Sequence, residues 1–181
     1  CLGSETQIVY DANGFKDYQI DGRGIVTDYT IQNGLETERR EGYTLVNNEI
    51  TPTEDARTIE THWNTFPSPI GTVTLVEEVR EEGVTTTYTY EHGRVKTITQ
   101  TDTTTHTEPY GTNGTTRVWT YHYSYHDDQN RRIHTITVDG PRSDVVDTVI
   151  QTFNESGWLT RTERRISDEL TLTRQITEHD P

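Results

Sequence analysis

The sequence predicts an all-β protein: an antiparallel meander of consecutive hairpins forming an extended or curved, threonine-rich sheet with almost no helix. Three observations carry that expectation. The stretch from Thr85 to Thr99 alternates β-branched and aromatic residues at period two, breaks at His92-Gly93 and then alternates again, which is a hairpin written in sequence. Turn signals recur at short intervals along the chain. Threonine supplies 36 of the 181 residues, beside ten tyrosines and three tryptophans; the branched threonine Cβ favours extended backbone while its hydroxyl stays hydrated.

Residues 7–50 read as five or six short strands. Asn13-Gly14, Asp21-Gly22, Asn33-Gly34, Glu41-Gly42 and Asn47-Asn48 mark the turns between them. Residues 51–71 break the rhythm. Thr51-Pro52-Thr53-Glu54 has the spacing of a capping box with proline at the first helical position, although a loop fits better because no periodic apolar face follows. Arg57–Trp63 alternates through Ile59, Thr61 and Trp63 and reads as a strand. Phe66-Pro67-Ser68-Pro69 is extended and reads as unfit for a central strand. The expected organisation is therefore an N-terminal tether or donor segment plus meander over 1–50, a proline-containing connector over 51–71, and a long-stranded meander over 72–181, all of which could form one continuous domain. In the last part the expected strands are 72–80, 84–91, 94–107, 117–126, 131–139, 144–153, 157–166 and 169–178. Turns are expected at His92-Gly93, at 108–114, and at 154–157 with Gly157.

The composition describes a thin core. Apolar residues make up 29 % of the chain, roughly 36 % with glycine included, against about 45–50 % for an ordinary soluble domain. A compact sandwich needs more large apolar side chains on its inner faces, so much of the sheet has a wet face or is covered by other copies. The net charge of −14, from 30 acidic and 16 basic residues, excludes a basic nucleic-acid footprint. No apolar run approaches the roughly 18 residues of a membrane-spanning helix.

The first residues, Cys1-Leu2-Gly3-Ser4, resemble the mature end of a bacterial lipoprotein, with Cys1 the only cysteine. That resemblance implies a lipid on Cys1 and, with leucine at position 2, an outer-membrane or cell-surface location. Four turn regions line up: Tyr10–Phe15, Tyr88–Val95, Tyr123–Asp128 and Phe153–Leu159. Together they resemble the YD repeat of bacterial RHS-type surface and secreted proteins, Tyr-x-Tyr-Asp-x-x-Gly-Arg-Leu. The likeness is best over 88–95, which is one residue short and has Glu91 where the repeat has Asp. It implies hairpins winding into an extended or shell-like sheet on an exported protein, and no activity.

No constellation points to catalysis. His122 and His126 with Asp127-Asp128 have a metal-like composition, but strand residues four apart lie about 13 Å from each other, too far for ligands with bonds near 2.1 Å. Asp128-Gln129-Asn130 lacks the glycine and distal glutamate of a calcium loop. No serine sits in Gly-x-Ser-x-Gly, so no enzyme, metal or cofactor is expected beyond the possible lipid. Trp119, Tyr121, Tyr123 and Tyr125 form a ladder about 20 Å long on one side of a strand, either a packing face or a platform for sugar rings. The leading expectation is a non-enzymatic, exported structural protein that assembles with copies of itself, as a filament or surface-layer subunit. Assembly would use edge pairing or strand donation through residues 2–10 and 170–178. The alternative is a monomeric carbohydrate-binding or adhesive module using the aromatic ladder.

Overall fold

The computed structural model describes residues 5–105, 112–142, 144–167 and 169–176. Alternating β-branched and aromatic residues fold into thirteen strands: β1 (Gln7–Tyr10), β2 (Lys16–Ile20), β3 (Ile25–Gln32), β4 (Leu35–Val46), β5 (Glu49–Ser68), β6 (Gly71–Glu81), β7 (Val84–Glu91), β8 (Arg94–Asp102), β9 (Thr116–Tyr125), β10 (Ile133–Asp139), β11 (Val149–Phe153), β12 (Leu159–Arg165) and β13 (Thr171–Gln175). They form one open sheet whose strand order is the chain order. The fold is thus an antiparallel meander of hairpins, as the sequence predicts, and there is no helix among the described residues.

The chain divides into two compact units that alternate along the sequence. The first comprises Cys1–Trp63, Val76–Thr85 and Asp102–Asn113, and the second Asn64–Leu75, Thr86–Thr101 and Gly114–Pro181. The first unit holds the two buried apolar side chains found among the described residues, Val26 and Ile59. Beside Val26 lies the buried carboxylate of Asp28, opposite Arg40 in the β3–β4 ladder. The Arg40 guanidinium donates to it through both Nε and Nη2, which raises the arginine still further above its ordinary range. Stacking of Arg40 over the Tyr43 ring, 5.4 Å from its centroid, covers the ion pair with an aromatic face.

Residues 51–68 belong to the 20-residue β5: 57–63, expected as strand, is strand, and so are the flanking 51–56 and 64–68, expected as connector with a possible helical turn at its start. No apolar helical face competes with the ladder to β4, where Thr51 pairs with Thr44 and Ile59 with Arg39. The prolines fit because of where they fall. Pro52 pairs with Tyr43 beside a register shift. Pro67 lies beyond the last pair with β4, Glu60 with Glu38. The stretch 144–148, expected as strand, is loop instead. Asp147 turns back to accept the amides of Gly140 (3.0 Å) and Arg142 (3.4 Å), so this segment spends its polar groups on a turn.

Two kinds of turn recur among the connections between strands. Asn33-Gly34, Asn47-Asn48 and His92-Gly93 are two-residue turns with both φ angles positive, from 52° to 80°, the twist that matches flanking strands. The other kind is a three-residue loop repeated four times, at Asp11–Phe15, Asp21–Ile25, Asp127–Arg131 and Asn154–Trp158. In each, the first residue's carboxylate or amide oxygen accepts the amides two and four positions on, at 2.8–3.1 Å. The fourth residue, Gly14, Gly24, Asn130 or Gly157, has φ between 56° and 83°. The Asn13-Gly14 signal therefore marks the last two residues of a three-residue loop rather than a two-residue turn. Of the four aligned repeat regions, three share this capped loop, and 88–95 alone uses the two-residue turn.

Gly42 sits at the register shift between Glu41 and Tyr43 with φ 77°. A Cβ there would lie 2.5 Å from the Asp55 carbonyl oxygen. At Gly34 a Cβ would meet nothing within 4 Å. Gly34→Ala is expected to cost about 1–2 kcal/mol, the left-handed penalty alone. Gly42→Ala should add about 1–3 kcal/mol of overpacking against fixed backbone. Equal unfolding midpoints in urea for the two variants would contradict the close approach at Gly42.

Capping also fixes the response to acid. The Asp21 carboxyl is held below its ordinary range chiefly by the Ile25 amide, and that of Asp127 chiefly by the Arg131 amide. At Asp11 reduced hydration pushes upward, and the amides of Phe15 and Asn13 outweigh it. Carboxylates whose values fall on folding add stability above the unfolded value of about 3.9 and lose it as pH drops through the folded value. Changing Asp11, Asp21 and Asp127 together to Asn, the residue already present at 154, is expected to keep the loops. It should also flatten the fall of the thermal midpoint below about pH 4; an acid limb as steep as the parent's would show that these loops do not carry it.

Candidate functional site

The aromatic ladder lies on β9 in the second unit, where the alternation Trp-x-Tyr-x-Tyr-x-Tyr gives the strand two unlike sides. Trp119, Tyr121, Tyr123 and Tyr125 are all half-buried, while His122 and Ser124 between them are exposed. Register extends both sides onto the neighbouring strands. Trp119 stands opposite Ile98 of β8, Tyr121 opposite Val138 of β10 and Tyr123 opposite Ile136 of β10, so one face is aromatic and aliphatic. Thr120 stands opposite Thr97, His122 opposite Thr137 and Ser124 opposite Thr135, so the other is a hydroxyl face. Ser124 Oγ and Thr135 Oγ1 lie 2.6 Å apart and share a hydrogen bond.

The ladder rings are engaged with their surroundings. Tyr123 and Tyr125 stack with centroids 6.4 Å apart and planes 22° from parallel. The Tyr123 hydroxyl donates to the Val95 carbonyl at 2.8 Å, and burial raises the phenol above its usual value. The Arg94 guanidinium lies 5.4 Å from the Tyr125 centroid. Its Nη1 and Nη2 donate to the carbonyls of Asn130 (3.0 Å) and Arg131 (2.9 Å). Arg94 thereby ties the β7–β8 turn to the β9–β10 loop and covers the end of the ladder. It is the organising residue that the search for reactive side chains passed over; the signal for it is the Gly-Arg pair at 93–94, the best-fitting part of the repeat.

Two open cavities in this unit border the ladder's end. One, of about 480 Å³, is lined by Ile133, Ile136 and Phe153 together with Arg131, Arg132 and the 154–157 turn. The other, of about 460 Å³, lies among Ser68, Ile70, Val73, Gly93 and Arg94. Gly93 is required here, since φ is 74° and a Cβ would come within 2.7 Å of the Ser68 Cβ.

The histidines and acids considered as ligands do not converge. His126 Nε2 lies 2.9 Å from the Phe153 carbonyl and 3.3 Å from His134 Nδ1, with the two rings edge to face. Asp127 caps its own loop and pairs with Arg132. No group of three or more His, Cys, Asp or Glu is placed to hold a metal ion among the described residues, and no helix there is long and apolar enough to cross a membrane. Cys1, expected as the lipid-bearing residue, lies outside the described residues, as do 106–107 of the expected strand 94–107 and 108–111 of the expected 108–114 turn. The expected turn residues Asn13, Gly14, Asn33, Gly34, His92, Gly93 and Gly157 all sit in interstrand turns. The sequence matches no protein-family model and no curated protein.

If the ladder is a packing face, its hydroxyl bond matters to stability. Tyr123→Phe is expected to cost about 1 kcal/mol, the net worth of one hydrogen bond. Tyr123→Ala should cost more, because stacking on Tyr125 goes too. Urea midpoints of both variants at parental level would instead free the ladder for a role outside folding.

Proposed function

We propose that the chain is a non-enzymatic structural protein, an exported β-sheet subunit that assembles by edge pairing with copies of itself. The observation that carries this reading is an open sheet with two outer strands, β1 and β13, each paired on one side only among the described residues. Such edges are templates for further strands. Neither carries proline, and β1 carries no charge. Ile8, Tyr10 and Leu172 are 43 %, 60 % and 55 % exposed, so a neighbouring copy at either edge removes apolar surface from water. Interior burial supplies little of that contribution here, since among the described residues the buried apolar side chains are Val26 and Ile59. An acyl group on Cys1 would hold the assembly at an outer membrane or cell surface; that part of the proposal rests on the sequence alone.

Glycan binding on the ladder has less support. The rings are half-buried, they stack on one another, and Tyr123 spends its hydroxyl on Val95.

Sedimentation velocity on untagged protein over a wide concentration range, with negative-stain imaging of the same samples, tests the proposal. Mass rising with concentration, with fibres, ribbons or discrete oligomers, is the expected result. A monomer throughout would overturn self-assembly.

A further inference from the structure

The backbone of the two outer strands specifies which edge meets which. In an antiparallel ladder, alternate residues aim both backbone groups at the same neighbour. Beside β13, the Ile176 amide donates to the Thr160 carbonyl and the Ile166 amide to the Leu170 carbonyl, each at 2.9 Å. Thr162 pairs with Arg174 and Arg164 with Leu172, so these residues face one another. Thr171, Thr173 and Gln175 therefore turn their N–H and C=O groups to the free edge.

The same argument settles β1. The Asp21 amide donates to the Ile25 carbonyl at 2.9 Å, so Gln19 and Asp21 face β3 while Tyr18 and Ile20 face β1. Their partners Val9 and Gln7 turn inward, as does Asp11, whose amide donates to the Phe15 carbonyl at 2.8 Å. Ile8 and Tyr10 are left facing outward.

Neighbours in the sheet are neighbours in the chain, and connections as short as these reverse the chain, so the thirteen strands alternate in sense along the ladder and β1 and β13 have the same sense in it. Joining β13 of one copy to β1 of the next with like faces aligned makes a parallel pair. Joining like to like about a twofold axis through the sheet makes an antiparallel pair and preserves the alternation found throughout the chain. We infer that the copies pair like with like, β13 with β13 and β1 with β1; this deepens the self-assembly reading and rests on it.

Side chains fit that symmetry. With the axis at Thr173, Thr171 meets Gln175 of the second copy and the outward groups of three residues on each side join, giving about six hydrogen bonds. Leu172 then stands opposite Arg174 of the second copy, so the two arginines never face each other and each arginine stem covers a leucine. With the axis at Val9, Ile8 meets Tyr10 of the second copy, an aromatic and β-branched pair of the kind that stabilises strands. One copy carrying two such contacts extends into a series, a single antiparallel sheet running across copies.

Ile8→Pro and Thr173→Pro each remove one outward N–H and leave the internal ladder intact, the position where edge strands accept proline. Like-with-like pairing predicts that each variant stops at a dimer, that the double variant is monomeric, and that differently tagged single variants form no mixed dimer. Single variants that are monomers alone and combine one to one when mixed would establish head-to-tail pairing. That result overturns this inference and leaves self-assembly standing. A parent chain that is monomeric at every concentration overturns both.

A second test needs no proline. Thr173→Glu and Thr173→Lys change an exposed side chain and place like charges across the axis. Each is expected to weaken the β13 contact about fivefold, the effect of about 1 kcal/mol, and mixing the two should restore it. No rescue on mixing would overturn the axis at Thr173. Circular dichroism and urea midpoints of each variant verify that the fold is retained.

Discussion

The two buried apolar side chains among the described residues are too few to hold thirteen strands together, so cohesion has to run sideways, from each strand to its neighbour. In this protein the lateral interactions are varied and local. They include backbone ladders, cross-strand pairs such as Arg57 with Glu41, at 2.5 Å, and Ser124 with Thr135, and turns whose own side chains satisfy the backbone. Exposed ion pairs add little; the pair of Asp28 with Arg40 matters more, because Asp28 is buried and loss of Arg40 would leave a desolvated carboxylate without its partner. The Asx-capped loops follow from the same constraint. Where no second layer of side chains protects a hairpin end, an aspartate or asparagine that accepts two amides closes it from within.

The ladder on β9 follows from this economy. Alternation gives each strand two sides, and threonine on one leaves aromatic and aliphatic residues on the other. A tyrosine ring lying flat across a neighbouring strand, with its hydroxyl bonded to a carbonyl there, covers more sheet than an aliphatic residue could. Arg94 closes the end of the stack by a cation–π contact and two carbonyl bonds. The face is half-buried by its own members, which is why reactive or ligand-binding chemistry is hard to place on it.

The strands were legible in the sequence because their signals are local. Period-two alternation and Asn-Gly, His-Gly or Asp-x-x-Gly breaks mark strand and turn within a few residues of each other. What was not legible depends on partners elsewhere in the chain. Residues 57–63 alternate and were legible as strand, whereas the proline-bearing flanks 51–56 and 64–68 look like a connector and become strand because Pro52 falls beside a register shift and Pro67 beyond the last pair with β4. Residues 144–148 look extended, and become loop because Asp147 reaches back to Gly140. The equivalence of Asp11, Asp21, Asp127 and Asn154 was half visible: three of them fall in the aligned repeat regions, but the shared cap is a statement about hydrogen bonds that residue types only suggest. Arg94 was visible as a repeat residue, and its role required knowing that the 127–131 loop lies beside the 92–93 turn.

A meander in which every strand pairs with its sequence neighbours has no internal closure. A sandwich or barrel is complete when its faces or edges meet, whereas here each hairpin needs only the one before it, as in repeat proteins whose stability is a sum of units and nearest-neighbour contacts. The outer strands are short and free of proline, with outward groups spaced for another ladder. Protected edges in other sheets carry inward-pointing lysines, and β1 carries no charged residue. The odd number of strands gives β1 and β13 the same sense along the ladder, so that under the proposed like-with-like pairing a second copy of either edge would continue the antiparallel order.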